Sequence, residues 1–238
     1  MRYDLSQYRT ADMERKLQIA RFRPLDVMVT GVTGAGKSTT LNAFFQKTVA
    51  KVGDGVDPET MELGAYRFNN VLRLWDTPGL GDGVVQDAEH KRKLTSLLNK
   101  TYVLDGHSYG FIDLALVVLD ASSRDMGTTY HLLNDVIVPN IQRERIMVVI
   151  NQADFAMKGR HWQREVGCPD GMLLEYLEEQ ATSVQRRVRE ATGVTIRRPV
   201  FYSAEYGFGV RDVFDLIIEQ MPLERRPLRQ RAACLFPF

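Results

Sequence analysis

The eight residues Gly31-Val32-Thr33-Gly34-Ala35-Gly36-Lys37-Ser38 place three glycines, a lysine and a hydroxyl in the spacing G-x-x-x-x-G-K-S. That set is suited to holding a run of phosphates. The glycines let backbone N–H groups converge on phosphate oxygens where a side chain would intrude. Lys37 carries the charge that reaches the β- and γ-phosphates, and the Ser38 hydroxyl is a hard oxygen ligand for Mg²⁺. Gly31, Thr33, Gly34, Ala35, Gly36, Lys37, Ser38 and Thr39 are the candidate phosphate-binding residues.

Three further clusters follow downstream. Asp76-Thr77-Pro78-Gly79 joins a carboxylate to a glycine shortly after it. After a phosphate-binding loop, such an Asp serves the Mg²⁺ shell through water, and the Gly N–H meets the γ-phosphate. Asn151-Gln152-Ala153-Asp154 and Ser203-Ala204 are polar steps after apolar runs. The four histidines, His90, His107, His131 and His161, are scattered without metal-ligand spacing.

These clusters need rigid elements to aim them, and the periodicity supplies candidates. Leu25–Thr30 reads as a strand entering the glycine-rich loop, and residues 37–46 as the helix leaving it, whose start adds a partial positive charge. Residues 47–59 form a loop with two aspartates, two glycines and Pro58, ending at Thr60. Strands are expected at 61–68 and 71–76 around an Asn69-Asn70 turn, and a helix at 86–104 with Leu94, Leu97, Leu98 and Tyr102 on one face. The apolar runs at 111–120 and 145–150 read as strands buried on both faces. Helices are expected at 125–138, 171–192 and 210–221, and a short strand at 200–204. Residues 155–170 read as a loop or small insertion.

Strands alternating with helices give an α/β fold: a mostly parallel, six-stranded sheet with one antiparallel edge strand, covered on both faces in three layers. Every chemical cluster then lies at a strand C-terminus, along the rim where such sheets bind ligands. Around this core, covering residues 24–222, an amphipathic helix is expected within 1–23, with Met13, Leu17 and Ala20 on one face. A basic tail is expected at 223–238, containing Arg225, Arg226, Arg229 and Arg231.

Bulk composition narrows the classes. The chain has 238 residues, 44% hydrophobic and 26% charged, with a net charge of +1. Nothing in that balance favours a nucleic-acid or membrane partner. Two cysteines, Cys168 and Cys234, read as free thiols of a reducing compartment. With no signal-like start and no apolar run of about 18 residues, the expectation is a cytoplasmic protein.

Taken in order, the clusters resemble a GTPase G domain of the TRAFAC class. The Gly-x-Thr-Gly-Ala-Gly-Lys-Ser loop resembles those of septin, plant-import and immunity-associated GTPases. Asp-Thr-Pro-Gly-Leu resembles Era-like ones, and the whole most resembles bacterial, often prophage-encoded, Era-like GTPases. The resemblance implies the three-layer sandwich of P-loop NTPases, with GTP or GDP and Mg²⁺ as ligands. It assigns Thr60 to Mg²⁺ and the γ-phosphate, so that Ser38, Thr60 and Asp76 serve the metal and Lys37, Thr60 and Gly79 the reaction. Asn151, Gln152 and Asp154 would read the base. The Asp154 carboxylate accepts two hydrogen bonds from guanine, which adenine cannot supply. Asn151 would brace the loop, and the Ser203-Ala204 step would bring the Ala204 N–H to the guanine carbonyl.

Two positions depart from the family pattern. Gln152 stands where lysine is usual, so the charge that ties this residue to the phosphate loop is missing and weaker nucleotide affinity is expected. Leu80 stands where many GTPases carry the glutamine that orients the attacking water. A potassium-assisted route needs an asparagine at the position of Gly34. The water-positioning group is then expected elsewhere, with Asp82, Arg124 and His107 as candidates, or across a homodimer or partner. The expected function is a Mg²⁺-dependent GTP switch with slow intrinsic hydrolysis, stimulated by pairing through the nucleotide face or by an unknown effector. The alternative is a nucleotide-holding assembly module with little hydrolysis. An ATP-using kinase would not need the Asn-x-x-Asp cluster.

Overall fold

The structure is a computed structural model that describes residues 5, 7–20, 24–45, 65–81, 83–123 and 126–228. Thr60, Asp82, Arg124, Arg229, Arg231 and Cys234 lie outside them. The described chain begins with α1 (Thr10–Ala20), β1 (Leu25–Gly31) and α2 (Lys37–Phe45), followed by β2 (Ala65–Arg67), β3 (Leu72–Asp76) and α3 (Val84–Asn99). Next come β4 (Thr101–Leu104), β5 (His107–Gly110) and β6 (Leu114–Asp120). Helix α4 is continuous through Gly127–His131, a π-helical stretch Leu132–Ile137 and a last turn Val138–Asn140. Strand β7 (Ile146–Asn151), the two-residue strands β8 (Trp162–Gln163) and β9 (Cys168–Pro169), α5 (Gly171–Thr192), β10 (Val200–Phe201) and α6 (Val210–Glu219) complete the order.

Six strands form the main sheet in the order β10-β7-β6-β1-β3-β2. Only β2 runs antiparallel, pairing Tyr66 with Leu74 across from β3. Strand alternation splits the core in two. Leu114, Leu116 and Val118 of β6 face one layer with Leu41 and Phe44 of α2, Met13 of α1, and Phe214 and Ile217 of α6. Ala115, Val117 and Leu119 face the other, with Leu94 of α3, Leu133 of α4 and Leu173 and Leu177 of α5. The three-layer sandwich follows from that alternation: both faces of a parallel sheet must be covered.

At the β1–β6 contact the chain needs glycine. Gly31 has φ +153, and a Cβ there would run into the Val118 carbonyl oxygen. At the N-terminal end of the same strand the buried Asp26 ties β1 to β3 and to Asp113, just before β6. It accepts from Arg73 Nε at 2.8 Å and Nη2 at 2.6 Å, and from Trp75 Nε1 at 2.8 Å, while its own N–H donates to Asp113 Oδ2.

The helix expected at 86–104 is shorter. It ends at Asn99, and Tyr102 pairs with Tyr109 in a β4–β5 hairpin instead of extending the helix. Asp105 and Gly106, both with positive φ, form the two-residue turn between these strands, an Asp-Gly hairpin signal that the leucine periodicity masked. The 111–120 strand starts only at Leu114. Residues 155–170, read as a loop or small insertion, carry the β8–β9 hairpin, in which Trp162 is buried. That side chain is 8% exposed and packs on Tyr206 and Phe208, with ring centroids 5.2 and 5.7 Å away.

The arginines of the C-terminal stretch that lie within the described residues are packed. Arg226 is 4% exposed and donates to Leu98 O at 2.6 Å and Asn140 O at 3.1 Å. It thereby caps the C-terminal ends of α3 and α4 at once. Its carbonyl accepts from Gly110 N–H at 2.9 Å, and Arg225 lies over the Tyr109 ring.

Candidate functional site

Gly31, Asp76, Asp120, Asn151 and Phe201 end their strands on the same edge of the sheet, and the loops that follow converge there. The first loop turns through Gly34 and Gly36, both at positive φ. A Cβ at Gly36 would overlap the Asn151 amide nitrogen, so this glycine is required for the closeness of the two loops. Lys37 Nζ folds back to Val32 O at 3.0 Å and Gly31 O at 3.4 Å. Thr40 Oγ1 donates to Gly36 O at 2.7 Å and, its proton so used, accepts from Tyr202 OH at 2.7 Å. Burial raises the Tyr202 phenol above its ordinary range, so it stays a neutral donor between α2 and the end of β10.

Asp76 faces this loop from β3. Its Oδ2 accepts from Ser38 Oγ at 3.0 Å, while Oδ1 is buried without a hydrogen-bond partner among the described residues. Burial raises its carboxyl, and Ser38, Lys37 and the Thr77 N–H act in the opposite direction. A hydroxyl and a carboxylate, both hard oxygens, with one buried oxygen unsatisfied, fit a Mg²⁺ ion and its bound water.

Gly79 lies against the lysine. A Cβ added there would come 2.6 Å from Lys37 Nζ and 2.7 Å from Thr33 N, so only glycine fits. Leu80 is zipped to the phosphate loop by backbone bonds: Thr33 N–H donates to Leu80 O at 2.7 Å and Leu80 N–H to Gly31 O at 3.3 Å. Its side chain is 1% exposed and belongs to the core on the α3 side.

Asn151 joins two loops through one side chain. Its Nδ2 donates to Ala35 O at 3.0 Å, and its Oδ1 accepts from Ala204 N–H at 3.0 Å. The Ala204 N–H expected to meet a guanine carbonyl is thus already engaged, and a base would have to share it. Ser203, fully buried, shapes this turn: its N–H donates to Phe208 O and its Oγ accepts from Tyr206 N–H. Gln152, at φ +62, donates from Nε2 to Gly34 O at 2.6 Å. The tie to the phosphate loop expected to be lost with lysine is therefore made by a neutral amide.

Asn151, Gln152, Asp154, Ala204, Gly36 and Thr39 line one open cleft of about 700 Å³, a size suited to a small-molecule ligand. The same cleft is walled by Ser122, Phe155, Lys158 and Glu205, which the sequence reading passed over. Phe155 is exposed, and Met157 and Lys158 are consecutive left-handed residues. Their only signal was position, directly after Asp154. His90 was also missed: from α3 its Nδ1 lies 2.6 Å from Gly79 O. His107, weighed as a water-positioning group, sits on the β4–β5 hairpin, which precedes β6 and so lies at the opposite edge of the sheet. It cannot reach the cleft within one chain.

A six-stranded, mostly parallel sheet with a G-x-x-x-x-G-K-S loop at its C-terminal edge defines a P-loop nucleotide-binding protein. Residues 26–152, more than half of the chain, match the model of the 50S ribosome-binding GTPase family, and the chain belongs to that family, within the TRAFAC-class GTPases. It is 29% identical over 142 residues to the uncharacterized protein YfjP of Escherichia coli K12, covering 58% of this chain and 45% of that protein. It is 27% identical over 202 residues to Translocase of chloroplast 132 of Arabidopsis thaliana, covering 78% of this chain and 15% of that one. The chain spans about half the length of the Escherichia coli relatives it matches. Among solved structures, Arabidopsis thaliana Toc33 with GDP and Mg²⁺ superposes with a TM-score of 0.61 at 17% identity, covering 94% of this chain and 95% of Toc33. Aquifex aeolicus Era bound to GDP and AlF4⁻ gives 0.52 at 19% identity, covering 88% and 60%. Among the described residues no helix is long and apolar enough to cross a membrane.

Proposed function

We propose that this chain binds GTP and GDP with Mg²⁺ and hydrolyses GTP to GDP and phosphate. The observation that carries the reading is Asn151, whose side chain locks the phosphate loop to the Ser203-Ala204 turn in a cleft that Asp154 also lines. A phosphate cradle and a carboxylate on one cleft, whose two loops are joined by one amide, favour a single ligand bearing both phosphate and base.

In this reading the backbone N–H groups of Gly34 to Thr39 surround the phosphates, the Thr33 N–H being bonded to Leu80 O. Lys37 leaves the Val32 carbonyl to meet the β- and γ-oxygens. Bound Mg²⁺ would neutralise charge developing on the phosphates, held by Ser38, by Asp76 through water, and by Thr60, which the resemblance assigns. Gly79 presents its N–H to the γ-phosphate. Asp154 accepts from guanine N1–H and the exocyclic amine, while Asn151 and Gln152 keep the loops in register. Ala204 shares its N–H between Asn151 Oδ1 and the guanine carbonyl, a three-centre arrangement.

With Leu80 in the core, no side chain at that position orients water, so intrinsic hydrolysis is slow and rises when a second copy or a partner completes the site. The solved structures include a dimerization-deficient mutant of Toc33, which motivates the second copy. Phosphate release with Lys37→Ala as control tests the enzyme reading. A specific rate that climbs with protein concentration supports pairing, and a flat one removes it. The same burial of Leu80 favours a second reading, a module that holds GTP to control assembly without turnover. Tight GDP binding with no Lys37-dependent phosphate release in any oligomeric state would select it.

A further inference from the structure

The backbone on both sides of Leu80 is held from α3. Val84, Val85, Gln86, Ala88 and Glu89 are exposed or outward-facing on the first turns of that helix, whereas Asp87 and His90 are half-buried. Asp87 Oδ1 accepts from Gly81 N–H at 2.8 Å. His90 Nδ1 is 2.6 Å from Gly79 O. A carbonyl oxygen only accepts, so Nδ1 carries the proton and His90 is the donor. The N–H of the same peptide, that of Leu80, donates to Gly31 O. The Gly79–Leu80 peptide is therefore gripped at both ends, by the phosphate loop and by α3.

Gly79 needs that grip. Its neighbours leave no room for a Cβ, and a residue without Cβ has the widest backbone freedom. The side chain at position 80 points into the core and supplies no restraint toward the cleft. We propose that His90 is a positioning residue for the third phosphate: through Gly79 O it fixes Gly79 beside Lys37 Nζ and Thr33, where a γ-phosphate would be received. This inference rests on the GTP reading above. It makes the histidine matter for GTP and not for GDP, which has no phosphate at that point.

The test compares wild type with His90→Ala, His90→Asn and His90→Gln. The readouts are affinities for fluorescent GDP and for a fluorescent non-hydrolysable GTP analogue, and single-turnover hydrolysis. Asparagine Nδ2 reaches about the place of histidine Nδ1, and glutamine Nε2 does not. The expected result is GDP affinity within about two-fold throughout, and a loss of about ten-fold for the GTP analogue in the Ala and Gln variants, as for one removed hydrogen bond. Recovery in the Asn variant to within about three-fold of wild type completes the expectation, and hydrolysis, if measurable in wild type, follows the same order. Equal weakening of GDP and the GTP analogue would make the role merely structural and overturn the proposal, as would Asn and Gln behaving alike or wild-type affinity in all three. Thermal melting identifies a variant that fails to fold, and the Asn–Gln pair still decides if Ala does. A wild type that binds neither nucleotide sinks the GTP reading itself, before any variant is compared.

Discussion

Ser38 Oγ donates to Asp76 Oδ2 at 3.0 Å, which leaves the second oxygen of that carboxylate buried and unpaired among the described residues. The pair joins the start of α2 to the end of β3 and forms the hard-oxygen corner of the cleft.

Mg²⁺ should therefore compete with that bond. Asp76→Asn keeps a similar shape and removes the charge, and its Mg²⁺ requirement for holding GDP should rise about 10- to 100-fold, as for other partners acting through a metal's outer shell. Ser38→Ala should do the same. Titration of nucleotide release rate against Mg²⁺ reads this directly. An unchanged midpoint in both variants would remove the metal from this corner.

Asp154→Asn should exchange base preference. An amide offers a donor where the carboxylate accepted, so guanine loses a partner and xanthine, with a carbonyl in place of the amine, gains one. GDP affinity should fall by about 10-fold or more, with xanthosine diphosphate becoming the better ligand. Asn151→Ala should weaken both nucleotides alike, because it removes the bond between loops and not the base reading. Competition binding separates the two patterns.

Gln152→Lys should gain little, about three-fold or less in GDP affinity, because the amide already holds Gly34 O at 2.6 Å. Gln152→Ala should lose more than Gln152→Lys gains. A large gain for lysine would mean that charge, and not the tie to the loop, is what the position lacks.

Asp170, which is not among the residues lining the cleft, gives a pH signature. It caps α5, accepting from Met172 N–H at 3.1 Å and Leu173 N–H at 3.0 Å, and it pairs with His161 at 2.8 Å. The Leu173 N–H and then His161 hold its carboxyl below the usual range. A carboxyl lowered in the folded state adds stability above its unfolded value of about 3.9 and loses it as pH falls through the folded value. Asp170→Ala should lower the melting temperature at pH 7 by about 2–4 °C. The gap between variant and wild type should close in acid below the folded value. A gap independent of pH would show that the charge contributes nothing.

The sheet and its phosphate loop were legible because the central strands β1, β6 and β7 are almost wholly buried, mostly aliphatic runs that lead into polar or glycine-rich clusters, and a parallel sheet puts such ends on one rim. Elements set by turn chemistry were less so. The leucine stripe of α3 continues in register with Tyr102, and Asp105-Gly106 outweighed it only once β4 could pair with β5. At the site, residues within a motif were found from spacing alone. His90 lies well beyond Gly79 in the chain and reaches it only because α3 turns back across the loop. Arg226 looked like part of a basic tail because its partners are main-chain carbonyls of Leu98 and Asn140, which leave no trace in side-chain pattern.

That arginine gives α3 a mechanical character. The helix has 16 residues, a rod about 24 Å long. One end is pinned to the glycine loop by Asp87 and His90, and the other is clasped by the segment that follows α6. The helix thus works as a strut, tying the rim of the cleft to the chain segment around Arg226 on the far side of the sheet.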